Sequence, residues 1–172
     1  MKNIFKNKKV IITGNSGFKG SWLSLWMYHL GAEVLGISLK SSSKFQNLKI
    51  FNLNNKMFNK NIDIRNFKKV HRVIKGFKPD FIFHLAAEAI VTRAYKNPKN
   101  TWETNTMGTL NILESLKDYN KKVTVIMITS DKVYKNLETK KGYKEEDILG
   151  NLDPYSASKA SADLVCQSYF YS

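Results

Sequence analysis

Several residue types are scarce in this 172-residue sequence, and each scarcity excludes a class of function. Cys166 is the single cysteine, which excludes an internal disulfide and is typical of a protein from a reducing cytoplasm. The three histidines, His29, His71 and His84, lie far apart with no cysteine or acidic cluster at ligand spacing, so no metal site is predicted. No apolar run approaches the roughly 20 residues that span a bilayer, and the basic N-terminus lacks the apolar core of a signal peptide. We therefore expect no membrane association and a cytoplasmic location.

Arginine is also scarce, although the chain is strongly basic. The formal net charge is +14, yet 25 of the 28 basic residues are lysines scattered along the sequence. Recognition of nucleic acids favours arginine, because its planar guanidinium binds phosphates and bases bidentately. We therefore expect no nucleic-acid partner and retain only a mild attraction for anionic substrates.

Three of the nine glycines stand close together, directly after the β-branched run Val10–Thr13. Gly14, Gly17 and Gly20 are spaced by three residues and are followed by an amphipathic segment. This pattern predicts a buried strand, a tight turn and a helix whose first N–H groups are free to bind a pyrophosphate. The spacing differs from the common GxGxxG fingerprint, and glycine turns also end strands for structural reasons alone. The interpretation therefore depends on the rest of the chain.

Strand and helix patterns alternate along the chain. We predict strands at 9–13, 33–38, 61–64, 80–83 and 123–129, helices at 18–30, 66–75 and 98–117 and a last helix from Asp153-Pro154, with irregular connections at 39–60 and 130–152. The alternation predicts one α/β domain with a doubly wound parallel sheet over residues 1–172. Trp22 and Trp26 of the first helix are expected in its core. Ligands of such a sheet lie beyond the carboxyl ends of its strands, where Gly14, Ala86 and Ser130 should gather.

Tyr155 and Lys159 are four residues apart on the predicted last helix and therefore share one face. A free phenol has a pKa of about 10 and is a weak base at neutral pH. An adjacent ammonium stabilises the phenolate and lowers that pKa. Such a pair also arises by chance on helix surfaces, so its functional interpretation rests on the glycine turn and on Ser130, which follows the fifth strand.

Together these motifs resemble the extended short-chain dehydrogenase/reductase family. Finer motifs resemble its nucleotide-sugar 4,6-dehydratases, and among them the branch that acts on CDP-glucose. The matching stretches are Gly17-Phe18-Lys19-Gly20-Ser21-Trp22, His84-Leu85-Ala86-Ala87, Asn105-x-Met107-Gly108-Thr109, Thr129-Ser130-Asp131-Lys132 and Asp153-Pro154-Tyr155-Ser156-x-Ser158-Lys159. The resemblance implies dehydration of CDP-glucose to a 4-keto-6-deoxy sugar, within deoxysugar synthesis for a bacterial surface polysaccharide such as the lipopolysaccharide O-antigen.

The resemblance also implies the roles of five catalytic residues. Tyr155, with Ser130 and Lys159 beside it, takes the proton of the sugar C4 hydroxyl. Asp131 is the acid for the departing C6 hydroxyl, and Lys132 is the candidate base at C5. Lysine must be neutral to act as a base, which requires desolvation or nearby positive charge. An exposed loop pair is the alternative interpretation of Asp131 and Lys132.

NAD is the cofactor that the resemblance implies. Its expected binding residues are Gly14, Ser16, Gly17, Phe18, Lys19, Gly20, Ser38, Asp63, Ile64, Leu85, Ala86, Ala87, Asn105, Tyr155 and Lys159. Asp63 also suits the cap of a turn at a strand end, and His84 is expected to pack rather than to act in catalysis.

One departure from the dinucleotide fingerprint concerns the second strand. An acid is expected near Ser38 to bind the adenosine ribose hydroxyls, but the sequence has no Asp or Glu between Glu33 and Asp63. Lys40 and Lys44 lie there instead. On physical grounds NADP is therefore an alternative cofactor, whereas the resemblance favours NAD.

Relatives of this kind continue for about as long again beyond the Rossmann domain. We therefore expect the 172 residues to form the N-terminal part of an enzyme, without the nucleotide-sugar part and inactive alone. A homodimer through the helices at 98–117 and 155–172 is expected from the family. The alternatives left open are another nucleotide-sugar 4,6-dehydratase, a 4-epimerase, or a non-catalytic module that senses NAD(P).

Overall fold

A five-stranded parallel sheet forms the centre of the computed structural model, which describes residues 3–40 and 47–171. The strand order is β3-β2-β1-β4-β5, and every neighbouring pair is parallel. The strands are β1 (Lys9–Thr13), β2 (Glu33–Ser38), β3 (Phe58–Asn61), β4 (Phe81–His84) and β5 (Thr124–Met127). This order confirms the doubly wound sheet. Lys44 and Ser172, which belong to the expectations above, lie outside the described residues.

Seven α-helices of the described residues connect and cover the strands. They are α1 (Phe18–His29), α2 (Asn47–Ile50), α3 (Phe67–Phe77), α4 (Val91–Lys96), α5 (Pro98–Trp102), α6 (Gly108–Glu114) and α7 (Pro154–Phe170). Among them, no helix combines the length and the apolar character needed to cross a membrane.

Alternating side chains of β1 divide the core into two layers. Ile11 faces the layer that α3 and α6 cover through Val70, Ile74 and Ile112. Val10 and Ile12 face the opposite layer, which contains Met27 of α1. Helices on both faces leave the carboxyl ends of the strands as the open edge of the sheet.

The third strand lies three residues before its predicted position. We predicted 61–64, which includes the apolar Ile62 and Ile64, but β3 spans Phe58–Asn61 and all four of its residues are exposed. Because β3 is the edge strand next to β2, it does not need apolar side chains to pair. Ile64 is instead buried beyond the strand.

The prediction that Trp22 and Trp26 lie in the core is wrong. They are 51% and 62% exposed. The buried residues of α1 are Gly20, Ser21, Ser24 and Met27, so the helix presents mostly small side chains to the sheet. Gly20 lies so close to Gly14 that a bulky side chain on this face does not fit. The indole of Trp22 packs on the surface against Phe51, with ring centroids 4.7 Å apart.

The predicted helix at 98–117 is interrupted. A π-helical turn at Glu103–Met107 separates α5 from α6, and α6 ends at Glu114. The extra residue of such a turn changes which side chains face inward, and it is often found at functional sites. In this chain the buried residue of the π-helical turn is Asn105. The short helix α4 was not predicted.

Candidate active site

The glycine turn connects β1 to α1, and at two of its positions the backbone leaves no room for a side chain. Gly14 has φ of 73°, and a Cβ on it would lie 2.8 Å from the backbone nitrogen of Ala86. At Gly20 a Cβ would overlap the carbonyl oxygen of Gly14. The N-cap of α1 is Gly17, which has no side chain to cap the helix. The turn therefore brings backbone N–H groups to an open edge, where an anion can accept their hydrogen bonds.

A cleft of about 560 Å³ opens beside this turn, at the carboxyl ends of the strands. Its lining contains all of the expected cofactor-binding residues except Asn105: Gly14, Ser16, Gly17, Phe18, Lys19, Gly20, Ser38, Asp63, Ile64, Leu85, Ala86, Ala87, Tyr155 and Lys159. It also contains residues that we did not predict, among them Arg65, Glu88, Asn100 and Thr104. These come from α5, the π-helical turn and loops whose positions only the fold determines.

Tyr155 and Lys159 enter the cleft from the first two turns of α7. Asp153 caps the helix by accepting a hydrogen bond from Ser156 N at 3.0 Å, and Pro154 occupies its first position. Lys159 is 7% exposed, and its Nζ donates to the carbonyl oxygen of Ile128 at 2.9 Å. Burial lowers the pKa of the Lys159 ammonium, and the nearby Lys19 ammonium lowers it further.

The cleft is lined by Ile128 and Thr129, but not by the three residues that follow them, Ser130, Asp131 and Lys132. The Ser130 hydroxyl donates to Oδ1 of Asp131 at 3.2 Å and accepts from Lys132 N at 3.2 Å. Ser130 thus caps a short 3₁₀ turn over Asp131–Val133, in which Val133 N donates to Ser130 O at 3.2 Å. The side chains of Asp131 and Lys132 are exposed, so the described chain does not desolvate either of them.

Asn105 is buried behind the cleft wall and does not line the cleft. Its Nδ2 donates to Glu88 O at 3.1 Å and to Ser158 Oγ at 2.9 Å, and its Oδ1 accepts from Glu88 N at 2.8 Å. The amide thus joins the loop after β4 to the helix that carries Tyr155. These bonds support the wall of the cleft, and the expected contact of Asn105 with the cofactor stays a prediction.

Asp63 lines the cleft and is paired with Arg65. The two side chains are joined by hydrogen bonds of 2.5–3.0 Å, and Arg65 N also donates to Asp63 Oδ1 at 2.9 Å. Arg65 extends to Oδ1 of Asn100 at 2.7 Å. The hydrogen bond from Arg65 lowers the pKa of the Asp63 carboxyl. Asp63 therefore caps a turn as a negative charge at the edge of the cleft, and its contact with the cofactor stays a prediction.

Thr13 and His84, at the ends of β1 and β4, form a buried network under the cleft floor. The Thr13 Oγ1 lies 2.7 Å from His84 Nδ1 and accepts from Leu85 N and Ala86 N, each at 3.1 Å. On the other side, His84 Nε2 lies 3.2 Å from Thr109 Oγ1. Burial lowers the pKa of His84 to about 3, so its ring is neutral. No sequence signal joins these three residues, because the contacts span 71 and 25 positions.

The residues at this edge fit a dinucleotide cofactor. The uncapped helix end and the glycine cradle suit a pyrophosphate, Asp63 provides an acceptor, and Tyr155 with Lys159 provides hydroxyl and ammonium groups in the same cleft. Within residues 3–40 and 47–171, no group of three or more His, Cys, Asp or Glu side chains is placed to hold a metal ion. The chemistry that the arrangement supports is proton transfer at a sugar or alcohol beside a bound dinucleotide.

Comparison with known proteins leads to the same kind of protein, one that binds a dinucleotide. The sequence profile of the family described as GDP-mannose 4,6 dehydratase matches residues 11–172. The chain is 43% identical over 168 residues to CDP-glucose 4,6-dehydratase of Salmonella typhimurium, covering 98% of this chain and 47% of that protein. The fold is similar to the crystal structure of dTDP-glucose 4,6-dehydratase from Bacillus anthracis in complex with NAD, with a TM-score of 0.79, 28% identity and coverage of 95% and 51%. It is also similar to UDP-glucose 4-epimerase of Thermus thermophilus in complex with NAD, with a TM-score of 0.82, 25% identity and coverage of 95% and 51%.

The chain spans about half the length of the curated relatives that it matches. The family profile, in contrast, covers almost all of the chain. Membership of one family explains the glycine turn, the five-stranded parallel sheet and the Tyr155–Lys159 pair together. The chain belongs to the GDP-mannose 4,6 dehydratase family.

Proposed function

We propose that this chain is the cofactor-binding part of an enzyme that dehydrates CDP-glucose to CDP-4-keto-6-deoxyglucose. The observation that carries the proposal is that Tyr155 and Lys159 line the same cleft as the glycine turn. The similarity to the CDP-glucose 4,6-dehydratase of Salmonella typhimurium supports the choice of substrate. We extend the proposal to a cytoplasmic role in deoxysugar synthesis for a surface polysaccharide.

In this proposal the chain holds NAD along the cleft. The N–H groups of the glycine turn bind the pyrophosphate, Asp63 and Ile64 contact the adenine, and Leu85 to Ala87 form the floor. When bound, NAD would supply the hydride acceptor for oxidation at C4 and the hydride donor for reduction at C6. The proton transfers that accompany the oxidation and the loss of water belong to the side chains of the protein.

Tyr155 is the base in the first proton transfer. Its phenolate takes the proton of the C4 hydroxyl as that carbon is oxidised to a ketone. The Lys159 ammonium stabilises the phenolate electrostatically, and its hydrogen bond to Ile128 O fixes its position. The hydroxyl of Ser130, which follows the lining residue Thr129, completes the hydrogen bonding at the C4 oxygen.

Asp131 and Lys132 perform the elimination in our proposal. The C4 ketone acidifies the hydrogen on C5, which Lys132 removes, while Asp131 protonates the C6 hydroxyl so that it leaves as water. Lys132 then returns a proton to C5 as the hydride is added at C6. Both side chains are exposed in the described chain, so we propose that bound substrate desolvates them. An epimerase needs neither group, and this difference favours dehydration over epimerisation.

A homodimer completes the proposal. Trp102 of α5, Met107 of the π-helical turn and Leu164 of α7 are 40–53% exposed, although they are large and apolar. Burying them against a second copy is favourable by the hydrophobic effect. We therefore propose that α5, α6 and α7 pair with the same helices of the partner.

The test is product analysis by mass spectrometry. The intact protein is incubated with NAD and, in separate reactions, with CDP-glucose, dTDP-glucose and GDP-mannose. We expect loss of one water from CDP-glucose only, and no turnover by the 172-residue chain alone. Water loss from another sugar would overturn the substrate, and C4 inversion without water loss would overturn the reaction in favour of an epimerase.

A further inference from the structure

Helix α1 carries its large aromatic side chains on its outer face. Phe18, Trp22 and Trp26 are spaced by four residues, so they follow one face of the helix over about 12 Å. They are 76%, 51% and 62% exposed. The buried residues on the opposite face, towards the sheet, are Gly20, Ser21, Ser24 and Met27. This is the reverse of the usual distribution on a surface helix, and we call the three exposed residues the aromatic stripe.

A bound dinucleotide does not explain the exposure of the whole stripe. Phe18 lines the main cleft, but Trp22 and Trp26 line neither that cleft nor a smaller one of about 320 Å³ past the end of β2. Trp22 contacts Phe51 and still keeps half of its surface exposed. Ile50, the residue before Phe51, is 67% exposed. Apolar surface is thus exposed on both α1 and α2, outside the cofactor site.

The size of the stripe matches a contact between folded proteins. At these exposed fractions its three rings leave roughly 400 Å² in solvent, which is comparable to the largest apolar patch of a typical monomer. A stable dimer buries about 800 Å² on each partner, of which somewhat more than half is apolar. The stripe therefore supplies most of the apolar area that one such contact needs.

The charges on α1 suit antiparallel pairing with a second copy of the helix. α1 has no acidic residue, and it carries Lys19 in its first turn and His29 in its last. When two α1 helices meet about a two-fold axis, each Lys19 lies towards the C-terminal end of the other helix, where the helix dipole attracts a cation. Trp22 and Trp26 lie on either side of the midpoint of the helix, so this arrangement places them at the centre of the contact.

We infer that the aromatic stripe is a self-association surface, on which two copies of the protein pack their α1 helices antiparallel. The inference goes beyond the proposed function and does not rest on it, since the contact needs no ligand. α1 covers one face of the sheet through Met27, whereas α6 covers the other face through Ile112. The contact therefore leaves the proposed pairing of α5, α6 and α7 free to form, and the two contacts together give a tetramer.

The test is the mass of the intact protein in solution, measured by analytical ultracentrifugation over a range of protein concentrations. Trp22→Gln combined with Trp26→Gln should halve that mass, because losing two central aromatic side chains weakens such a contact on the order of a hundredfold or more. The matched control is Phe58→Gln. Phe58 is 56% exposed, but it lies beside Phe77 of α3 on the other face of the sheet, so this variant should keep the full mass.

Two further measurements show whether the association has the expected cause. Urea unfolding of both variants distinguishes a lost contact from a lost fold. Higher salt should strengthen the association, because it screens the repulsion between two basic chains and leaves the apolar contact intact. Association that weakens as the salt concentration rises would overturn the inference, because the contact would then depend on ion pairs.

A photo-reactive side chain shows what lies against the stripe. With p-benzoylphenylalanine at position 26 of the intact protein, we expect a cross-link to α1 of a second chain, which doubles the mass of the denatured product. A cross-link within one chain would overturn the inference, because another part of the intact protein would then cover the stripe. An unchanged mass of the folded double variant would overturn it as well. None of these measurements uses turnover, so the proposed function is tested separately.

Discussion

The hydroxyl of Thr13 donates its proton to Nδ1 of His84, 2.7 Å away. The direction follows from the other bonds, because Thr13 Oγ1 already accepts from the N–H groups of Leu85 and Ala86. His84 therefore carries its own proton on Nε2 and donates it to Thr109 Oγ1 at 3.2 Å. This fixed tautomer connects the end of β1 to the floor of the cofactor cleft. We expect ¹⁵N chemical shifts of His84 to show the Nε2–H tautomer.

Thr13→Val should destabilise the fold and distort the cleft floor. The change removes the acceptor for Leu85 N and Ala86 N and the donor for His84, and a lost buried partner costs about 1–3 kcal/mol. Urea unfolding measures this loss, and titration with dinucleotide measures the effect on the cleft. The matched control is Thr13→Ser, which keeps the hydroxyl. If valine and serine cost the same, the network is not what stabilises this region.

His84→Asn should remove part of the acid sensitivity of the protein. Burial lowers the pKa of His84 to about 3, whereas an unfolded histidine titrates near 6.5. Between these values the unfolded state binds the extra proton, so the stability due to neutral His84 is present above pH 6.5 and is lost as the pH falls towards 3. The slope is at most about 1.4 kcal/mol per pH unit.

Unfolding free energies from about pH 7 to pH 4.5 measure that slope. The asparagine variant cannot titrate at this position and keeps an acceptor for the Thr13 hydroxyl, so its curve should be flatter than that of the unaltered protein. Parallel curves would show that His84 takes up its proton at the same pH in the folded and unfolded states, against a ring that burial keeps neutral.

Gly20→Ala should reduce both stability and dinucleotide binding. A methyl group at this position would overlap the carbonyl oxygen of Gly14, so α1 would have to move away from the turn. Overpacking of this kind costs about 1–3 kcal/mol. Gly76→Ala in α3 is the matched control, because a Cβ there meets no atom within 4 Å. It should stabilise the protein by up to about 1 kcal/mol, as measured by urea unfolding.

Lys159→Met should abolish turnover by the intact protein without reducing its stability. The ammonium is 7% exposed and burial lowers its pKa, so the charge is costly where it lies. Methionine fills a similar volume and carries no charge. Thermal unfolding and product formation are measured on the same preparation. A fall in stability of more than about 1 kcal/mol would show that Lys159 is chiefly a structural residue.

Local patterns in the sequence predicted the parts of the fold that depend on neighbouring residues. The β-branched run before Gly14, the Asp153-Pro154 cap and the spacing of Tyr155 and Lys159 each act within a few residues, and the structure contains the elements that they predict. The doubly wound parallel sheet also followed from the alternation of strands and helices.

Features that depend on tertiary contacts were not predictable in the same way. The exposed edge strand β3 has no apolar pattern. The face of α1 that meets the sheet consists mostly of small residues such as Gly20 and Ser24, whereas Trp22 is exposed. The buried position of Asn105 depends on a π-helical turn. The Thr13–His84 contact joins residues 71 positions apart, for which a single sequence holds no signal.

The central claim is tested most directly by following one hydrogen atom. CDP-glucose with deuterium at C4 is incubated with the intact protein and the dinucleotide that it binds, and the product is analysed by NMR and mass spectrometry. We predict a 4-keto-6-deoxy product that has lost one water and carries the deuterium at C6. Deuterium returned to C4, with the hydroxyl at C6 intact, would contradict a dehydratase and identify an epimerase instead.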